Sequence, residues 1–164
     1  MEVKAIGTIH SPFQNASGVP IQPALAGDTE GFVEVFSEYV EALADLEGFE
    51  RIWLLYWFDR ASPFKSRVKP YLDHQSHGLF ATRAPARPNP IGLSCVKLLA
   101  VEDTMLRVGG IDILDGTPLL DIKPYADRFD HFKVARCGWL DTVEKKTTKS
   151  DNRFFRNREG EREG

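Results

Sequence analysis

The stretch Arg51–Phe58, RIWLLYWF, sets seven apolar or aromatic residues in succession. Such a run, with no polar alternation, reads as a strand covered on both faces at the heart of a barrel or sandwich. The flanking sequence supplies it with partners. Val3–His10 alternates through Val3, Ala5, Gly7 and Ile9, and Gly31–Phe36 alternates again. Ile91–Val101 and Met105–Val108 read as an antiparallel hairpin joined by Glu102-Asp103-Thr104. Asp112–Ile122 reads as strand, turn and strand around Asp115-Gly116, a strong hairpin-turn pair. Ser37 is a plausible N-cap for a short helix, Glu38–Leu46, ending near Gly48. Phe132–Leu140 closes the ordered part as strand or helix. The expected fold is mainly β, a small antiparallel β-barrel with one or two short helices. Alternating βα units are missing, which argues against a doubly wound nucleotide-binding fold.

At 164 residues the chain fits one domain with a core of its own. No apolar run approaches the ~20 residues that cross a bilayer. The N-terminal residues Met1–Gly7 lack the basic start and apolar stretch of a secretory signal, so the expected location is cytoplasmic. Cys95 and Cys137 lie in apolar sequence and read as reduced core thiols, with Trp53 and Trp57 also taken as core. The net charge of −3 hides a division, because residues 145–164 hold seven Lys/Arg against four Asp/Glu. The expected organisation is therefore a barrel domain over 1–144 followed by a basic, solvated tail over 145–164. A basic arm that gathers a polyanion is the sharper reading of that tail.

Familiar catalytic signatures are missing: no G-x-G-x-x-G after a strand, no P-loop, no H-E-x-x-H and no G-x-S-x-G. His74-x-x-His77 with a distant Cys is too loose for zinc, and no metal is expected. The run Gly78–Ser94, GLFATRAPARPNPIGLS, is different. Its prolines fix φ and hold their neighbours extended, so it is stiff without a hydrogen-bond ladder. Arg83, Arg87 and Asn89 on such a loop present planar donors suited to a carboxylate, a phosphate or a nucleobase edge. Asp112, Asp121 and Lys123 place charges among apolar neighbours, where they either face water or serve a site. Asp59-Arg60 at the end of the central strand is both a routine terminator and a common place for binding residues.

Taken in order, IGTIHSPF, GVPIQP, DLEGFERIWLLYWFD, GLFATRAPARPNPIGLS and DILDGTPLLDIKPY resemble the TrmO family, also called TsaA-like proteins, over about residues 3–130. The resemblance implies a β-barrel methyltransferase that uses S-adenosyl-L-methionine. It implies action on N6 of threonylcarbamoyl-adenosine beside the tRNA anticodon, and a homodimer with the donor near the subunit interface. It implies donor contacts at Pro23, Ala24, Leu25, Asp59, Arg60, Arg83, Leu93, Leu114, Asp115, Gly116 and Thr117. Where some bacterial relatives carry a sizeable further domain that assists tRNA binding, this sequence has the basic tail.

For that reaction the donor is already activated, so the protein's task is positioning plus proton removal. Asp121 is the candidate proton acceptor, with Asp59 second. Arg87 is the candidate for the acceptor's threonine carboxylate, and Asn89 for a base or urea edge. Lys123 and Tyr125 are candidates for anticodon-loop contacts. The alternatives are the same donor-binding barrel acting on a different acceptor, and a non-catalytic module that binds RNA or nucleotide.

Overall fold

A computed structural model describes residues 2–143 and 147–156. Six strands close into an antiparallel barrel: β1 (Gly7–His10), β2 (Glu30–Val35), β3 (Arg51–Trp57), β6 (Ile91–Glu102), β7 (Met105–Gly109) and β8 (Thr117–Pro124). Their order around the barrel is β1-β2-β7-β6-β3-β8. Two-residue strands β4 (Arg67–Val68) and β5 (His77–Gly78) pair separately in the long connection between β3 and β6. Among the described residues the one α-helix, α1, is Asp127–Asp130. The expected fold class is the one observed.

β3 is central, paired with β6 from Arg51↔Lys97 to Trp57↔Ile91 and with β8 on its other edge. Its apolar run is not covered on both faces. Ile52, Leu54 and Tyr56 point into the barrel and are buried, while Trp53, Leu55 and Trp57 are half-buried on the outside. Closure enforces this, because alternate side chains on a barrel strand face opposite sides whatever their polarity. The same alternation sends Ile9, Val33, Val35, Val96, Leu106, Val108 and Leu119 into one core. Trp53 and Trp57 are thus outer-face residues, and Cys137 is exposed; Cys95 is half-buried.

Three local expectations are corrected. Only Gly7–His10 of the first segment is strand. The helix expected over Glu38–Leu46 is two 3-10 segments, Ser37–Leu43 and Leu46–Gly48, with Phe36 rather than Ser37 at the N-cap and Asp45 between them at φ 65°. Tyr39, Val40, Leu43 and Leu46 pack onto the barrel core, and that packing overrides continuous α-helix. Asp115-Gly116 does not turn a hairpin. The amides of Asp115 and Gly116 donate to the carbonyls of Phe13 and Ile9, both at 2.8 Å, so the segment docks on the exit of β1. Ile111 and Ile113 plug the core there before β8 begins. The region 132–137 forms no regular element, and Gly138–Thr142 is a 3-10 turn.

Within the expected tail, residues 147–156 bond back to the rest of the domain; residues 145, 146 and 157–164 lie outside the described residues. The backbone of Thr148 and Ser150 bonds to Gly18, Val19 and Ile21. Ser62 donates to the Phe154 carbonyl at 2.8 Å, and Arg156 donates to that of Arg60 at 3.1 Å. Phe154 is buried with Val68, Leu79, Ala84 and Ala86. The two adjacent phenylalanines, Phe154 and Phe155, are the apolar anchors that the polar composition of the tail conceals.

Across β3 and β6, Tyr56 pairs with Gly92. A Cβ at Gly92 would come within 2.2 Å of the Tyr56 ring, so the ring lies flat over the glycine. Gly92→Ala is expected to lower unfolding stability by about 1–3 kcal/mol through this overlap. Urea denaturation checks it, and unchanged stability would remove the packing argument.

Candidate active site

At the barrel end where β3 stops and β6 and β8 start, a cavity of about 280 Å³ opens. Its wall is drawn from the early loop (Val19–Gln22), the end of β3 and its exit (Tyr56, Phe58–Arg60), the Pro-rich run, the start of β6, the Asp112–Thr117 region and the returning tail (Ser150, Phe155). These segments are far apart in sequence, and barrel closure brings their ends together.

Seven of the sequence-identified residues lie in this wall: Asp59, Arg60, Arg83, Arg87, Leu93, Leu114 and Thr117. Arg60 is the strut. Its Nη2 donates to the Asp115 carbonyl at 2.8 Å and to Thr117 Oγ1 at 3.1 Å, and its Nε donates to Asp59 at 3.3 Å. Asp115 and Gly116 are therefore tied to the site through the turn, with Gly116 at φ 73°. The Asp115 carboxyl is held below its ordinary range. Burial opposes this, but hydrogen bonds from Ser11 N and Gln14 and the charges of His10 and Arg60 together outweigh it. Arg83 donates to the Gln22 amide oxygen. Arg87 Nη1 donates to the carbonyls of Thr82 (3.0 Å) and Ala84 (3.3 Å), so it braces the stiff loop it sits on.

Other candidates are not brought to this wall. Pro23, Ala24 and Leu25 form a 3-10 turn just past Gln22, the residue that does line the cavity. Asn89 is exposed and uses its carbonyl to accept from Ile91 N. Asp121 lies four residues along β8 from Thr117, about 13 Å at strand spacing. It pairs with Lys123 at 2.8 Å on the outer surface. Tyr125 packs its ring against Trp53, 5.9 Å between centroids. The strand's direction, which the motif string does not reveal, carries Asp121, Lys123 and Tyr125 away from the cavity.

The sequence reading left Asp112 undecided and passed over Tyr56 and Ser94. Ser94 Oγ donates to Asp112 Oδ1 at 2.6 Å, and the Tyr56 hydroxyl lies 3.1 Å from Ser94 Oγ. Burial pushes the Asp112 carboxyl up to about 7, against the opposing hydrogen bond from Ser94 and the charge of Arg83. Burial and the nearby Asp112 charge keep the Tyr56 phenol neutral. The available signal was alternation: Gly92, Ser94 and Val96 share the inward face of β6, so a serine there is a buried polar group that needs a partner.

A second cavity, about 420 Å³, adjoins the first and shares Ile21, Gln22, Tyr71, Thr82, Arg83 and Pro85 with it. Phe80, Trp139 and Leu140 give it an aromatic and apolar wall. Phe80 is 77% exposed, and the Arg87 guanidinium lies 5.6 Å from its ring centre. His77 stacks on Trp139 with ring centres 4.6 Å apart and pairs with Asp73 at 2.7 Å. Among the described residues no group of three or more His, Cys, Asp or Glu is arranged to hold a metal. Nor is any helix there long and apolar enough to cross a membrane.

Residues 8–131 match the family described as tRNA-methyltransferase O N-terminal domain. The chain belongs to that family. It is 52% identical over 154 residues to a probable S-adenosyl-L-methionine-binding protein of Pyrococcus abyssi, covering 93% of this chain and 84% of that protein. It is 36% identical over 134 residues to the tRNA (adenine(37)-N6)-methyltransferase of Escherichia coli K12, covering 76% of this chain and 57% of the relative. The crystal structure of TrmO from Pseudomonas aeruginosa superposes with a TM-score of 0.75 at 42% identity, over 87% of this chain and 64% of that one. The chain thus spans less than two thirds of that solved TrmO.

Asp112 has a consequence for stability. In the unfolded chain it ionises near the ordinary value of about 3.9. The folded chain holds the proton up to about 7. The folded state therefore binds more protons between these values, and the contribution of this group to stability falls as pH rises through that window. Asp112→Asn removes the effect while keeping an acceptor for Ser94. Its melting temperature relative to wild type is expected to be higher at pH 8 than at pH 5. An equal difference at both pH values in thermal scans would contradict the burial argument.

Proposed function

We propose that this chain is an S-adenosyl-L-methionine-dependent methyltransferase that transfers a methyl group to N6 of threonylcarbamoyl-adenosine beside the anticodon of tRNA. The observation that carries this reading is the first cavity. It gathers Asp59-Arg60, Arg83, Leu93, Leu114 and Thr117, from four separate segments, around one half-buried carboxylate, that of Asp112. The printed names of the Pyrococcus and Escherichia relatives supply the donor and the acceptor class.

The residues present fit the donor. Phe58, Tyr71 and Phe155 give flat apolar wall, and Asp112 gives a half-buried acid hydrogen-bonded by Ser94. When bound, the donor supplies a methyl group already activated on a sulfonium. The protein's part is then to fix two ligands in line. Arg60 holds the Asp115–Thr117 turn in place, and Arg83 braces the early loop through Gln22. The adjoining aromatic cavity is the proposed seat of the acceptor base, joined to the donor site across Thr82-Arg83. Arg87, between Phe80 and the first cavity, is the proposed partner of the threonine carboxylate. Asn89, Lys123 and Tyr125 are proposed as RNA contacts outside the donor cavity, and Pro23–Leu25 as the outer edge of the donor site. Asp121, exposed and already paired with Lys123, does not reach the donor cavity of its own chain, so it is not retained as proton acceptor.

The proposed working unit is a cytoplasmic homodimer. The cross-strand pairs Trp57↔Ile91 and Leu55↔Leu93 make an apolar strip on the outer wall, with Ile91 41% and Leu93 51% exposed at the rim of the cavity. A second copy on this strip would shield both the strip and the cavity mouth. Sedimentation equilibrium is expected to find a dimer that Leu93→Asp converts to a monomer; a monomeric wild type would end this part of the reading.

Incubation with labelled donor and tRNA, with and without the threonylcarbamoyl group, tests the activity. Methyl incorporation is expected only into the modified tRNA. Arg87→Ala is expected to lower kcat/KM by about tenfold or more. Transfer to unmodified tRNA alone, or to none, would defeat the assignment.

A further inference from the structure

Asp112 is the one half-buried acid in the wall of the first cavity without an ion-pair partner among the described residues. Asp59, the other acid in the wall, is exposed and paired with Arg60. The cations around the cavity are engaged elsewhere: Arg60 with Asp59, the Asp115 carbonyl and Thr117, Arg83 with Gln22, and Arg87 Nη1 with two carbonyls. Behind Asp112 stand Ser94 from β6 and Tyr56 from β3, both neutral donors. Such a carboxylate is oriented by its neighbours and is left short of positive charge.

We propose that Asp112 is the counter-charge by which this cavity prefers the cationic methyl donor over the neutral thioether left after transfer. This rests on the cavity being the donor site, as proposed above. Donor and product share their adenosine, amino and carboxylate groups and differ by the methyl group and the unit positive charge on sulfur. Asp112 lines a cavity of about 280 Å³, and the proposed seat of the sulfonium is within about 4–6 Å of its carboxyl, where solvent and salt screen little. Burial, against the Ser94 hydrogen bond and the more distant Arg83 charge, keeps Asp112 protonated up to about 7. An opposite charge at such range favours the ionised carboxylate by about ten- to a thousandfold, and linkage returns the same factor as affinity for the cation. The groups facing Asp112 or the same cavity are Tyr56, Ser94, Arg83, Arg87, Asp59 and Arg60. Tyr56 stays neutral, and none of the others supplies this acid with a contact cation. When the methyl group leaves, the cavity loses its cation, Asp112 recovers its proton, and the product's hold weakens.

Calorimetric titration of the full chain with S-adenosylmethionine and with S-adenosylhomocysteine, from pH 5.5 to 8.5 in two buffers of different ionisation enthalpy, tests this. The donor is expected to release roughly half a proton more than the thioether near pH 7 and to gain about tenfold or more in affinity across the range. Asp112→Asn is expected to abolish that extra release and to reduce the donor-to-thioether affinity ratio at pH 8 by at least about tenfold. Equal proton release for the two ligands on the wild type, or an unchanged ratio in the variant, would overturn the proposal. Should the variant not fold, the comparison of ligands on wild type decides alone. If neither ligand binds the wild type, the donor reading of the cavity fails and takes this proposal with it. If both bind with equal pH dependence, only this proposal falls.

Discussion

The Tyr56 ring lying over Gly92 is the contact on which the site depends. Gly92 has no side chain at the point where an inward barrel position would normally be filled, and the aromatic ring takes that space. Laid in this direction, the ring carries its hydroxyl along β6 to Ser94, and Ser94 reaches Asp112 in the neighbouring loop. A polar chain is thereby built through an otherwise apolar core. It is tolerated because each buried side-chain oxygen has a partner: among the described residues no buried side-chain polar atom is left unsatisfied. The carboxylate at its end is the exception in charge rather than in hydrogen bonding, which is why burial moves its ionisation so far.

Around this chain the cavity is held by crosslinks between loops that have no regular structure of their own. Arg60 ties the exit of β3 to the entry of β8, Arg83 ties the Pro-rich run to the early loop, and the returning segment 147–156 bonds to both the early loop and the exit of β3. Each crosslink spans several tens of residues in sequence or more, so the cavity cannot exist before the barrel closes. A rigid scaffold with functional loops at one end is the arrangement in which binding residues can be precise without being in strands. The guanidinium groups that might have been reserved for ligands are partly spent on this bracing. That division leaves Asp112, half-buried in the same wall, without an ion-pair partner among the described residues.

Much of the barrel was legible in the amino-acid order. The periodicity of β2 and the hairpin of β6 and β7 report strands because a pleated ribbon must alternate, while the unbroken apolar run of β3 marks a strand but not which of its faces lies outside. The stiff loop Gly78–Ser94 stands out in the sequence because prolines and arginines restrict and charge it locally, and Arg83, Arg87 and Leu93 reach the cavity wall. What alternation does not state is which partner satisfies a backbone amide. Asp115-Gly116 has hairpin chemistry, yet its amides are taken by Ile9 and Phe13, so it becomes a docked loop. The expected helix after Ser37 gave way for the same reason, since tertiary packing of Leu43 and Leu46 outranked local propensity.

By itself the sequence determined the β-barrel class, the family and several of the segments that meet at the cavity, because those depend on local periodicity and on residue types in fixed strings. Only the tertiary structure decided which members of those strings meet. Asp112 and Asp121 stand nine positions apart in one motif; the loop before β8 puts the first against Ser94 in the cavity, and β8 itself carries the second outside beside Lys123. The tail likewise read as solvated until its two phenylalanines found a hydrophobic cluster and a cavity wall built from residues tens of positions earlier. Burial and through-space charge are sums over neighbours distant in sequence, and no window along the chain contains them.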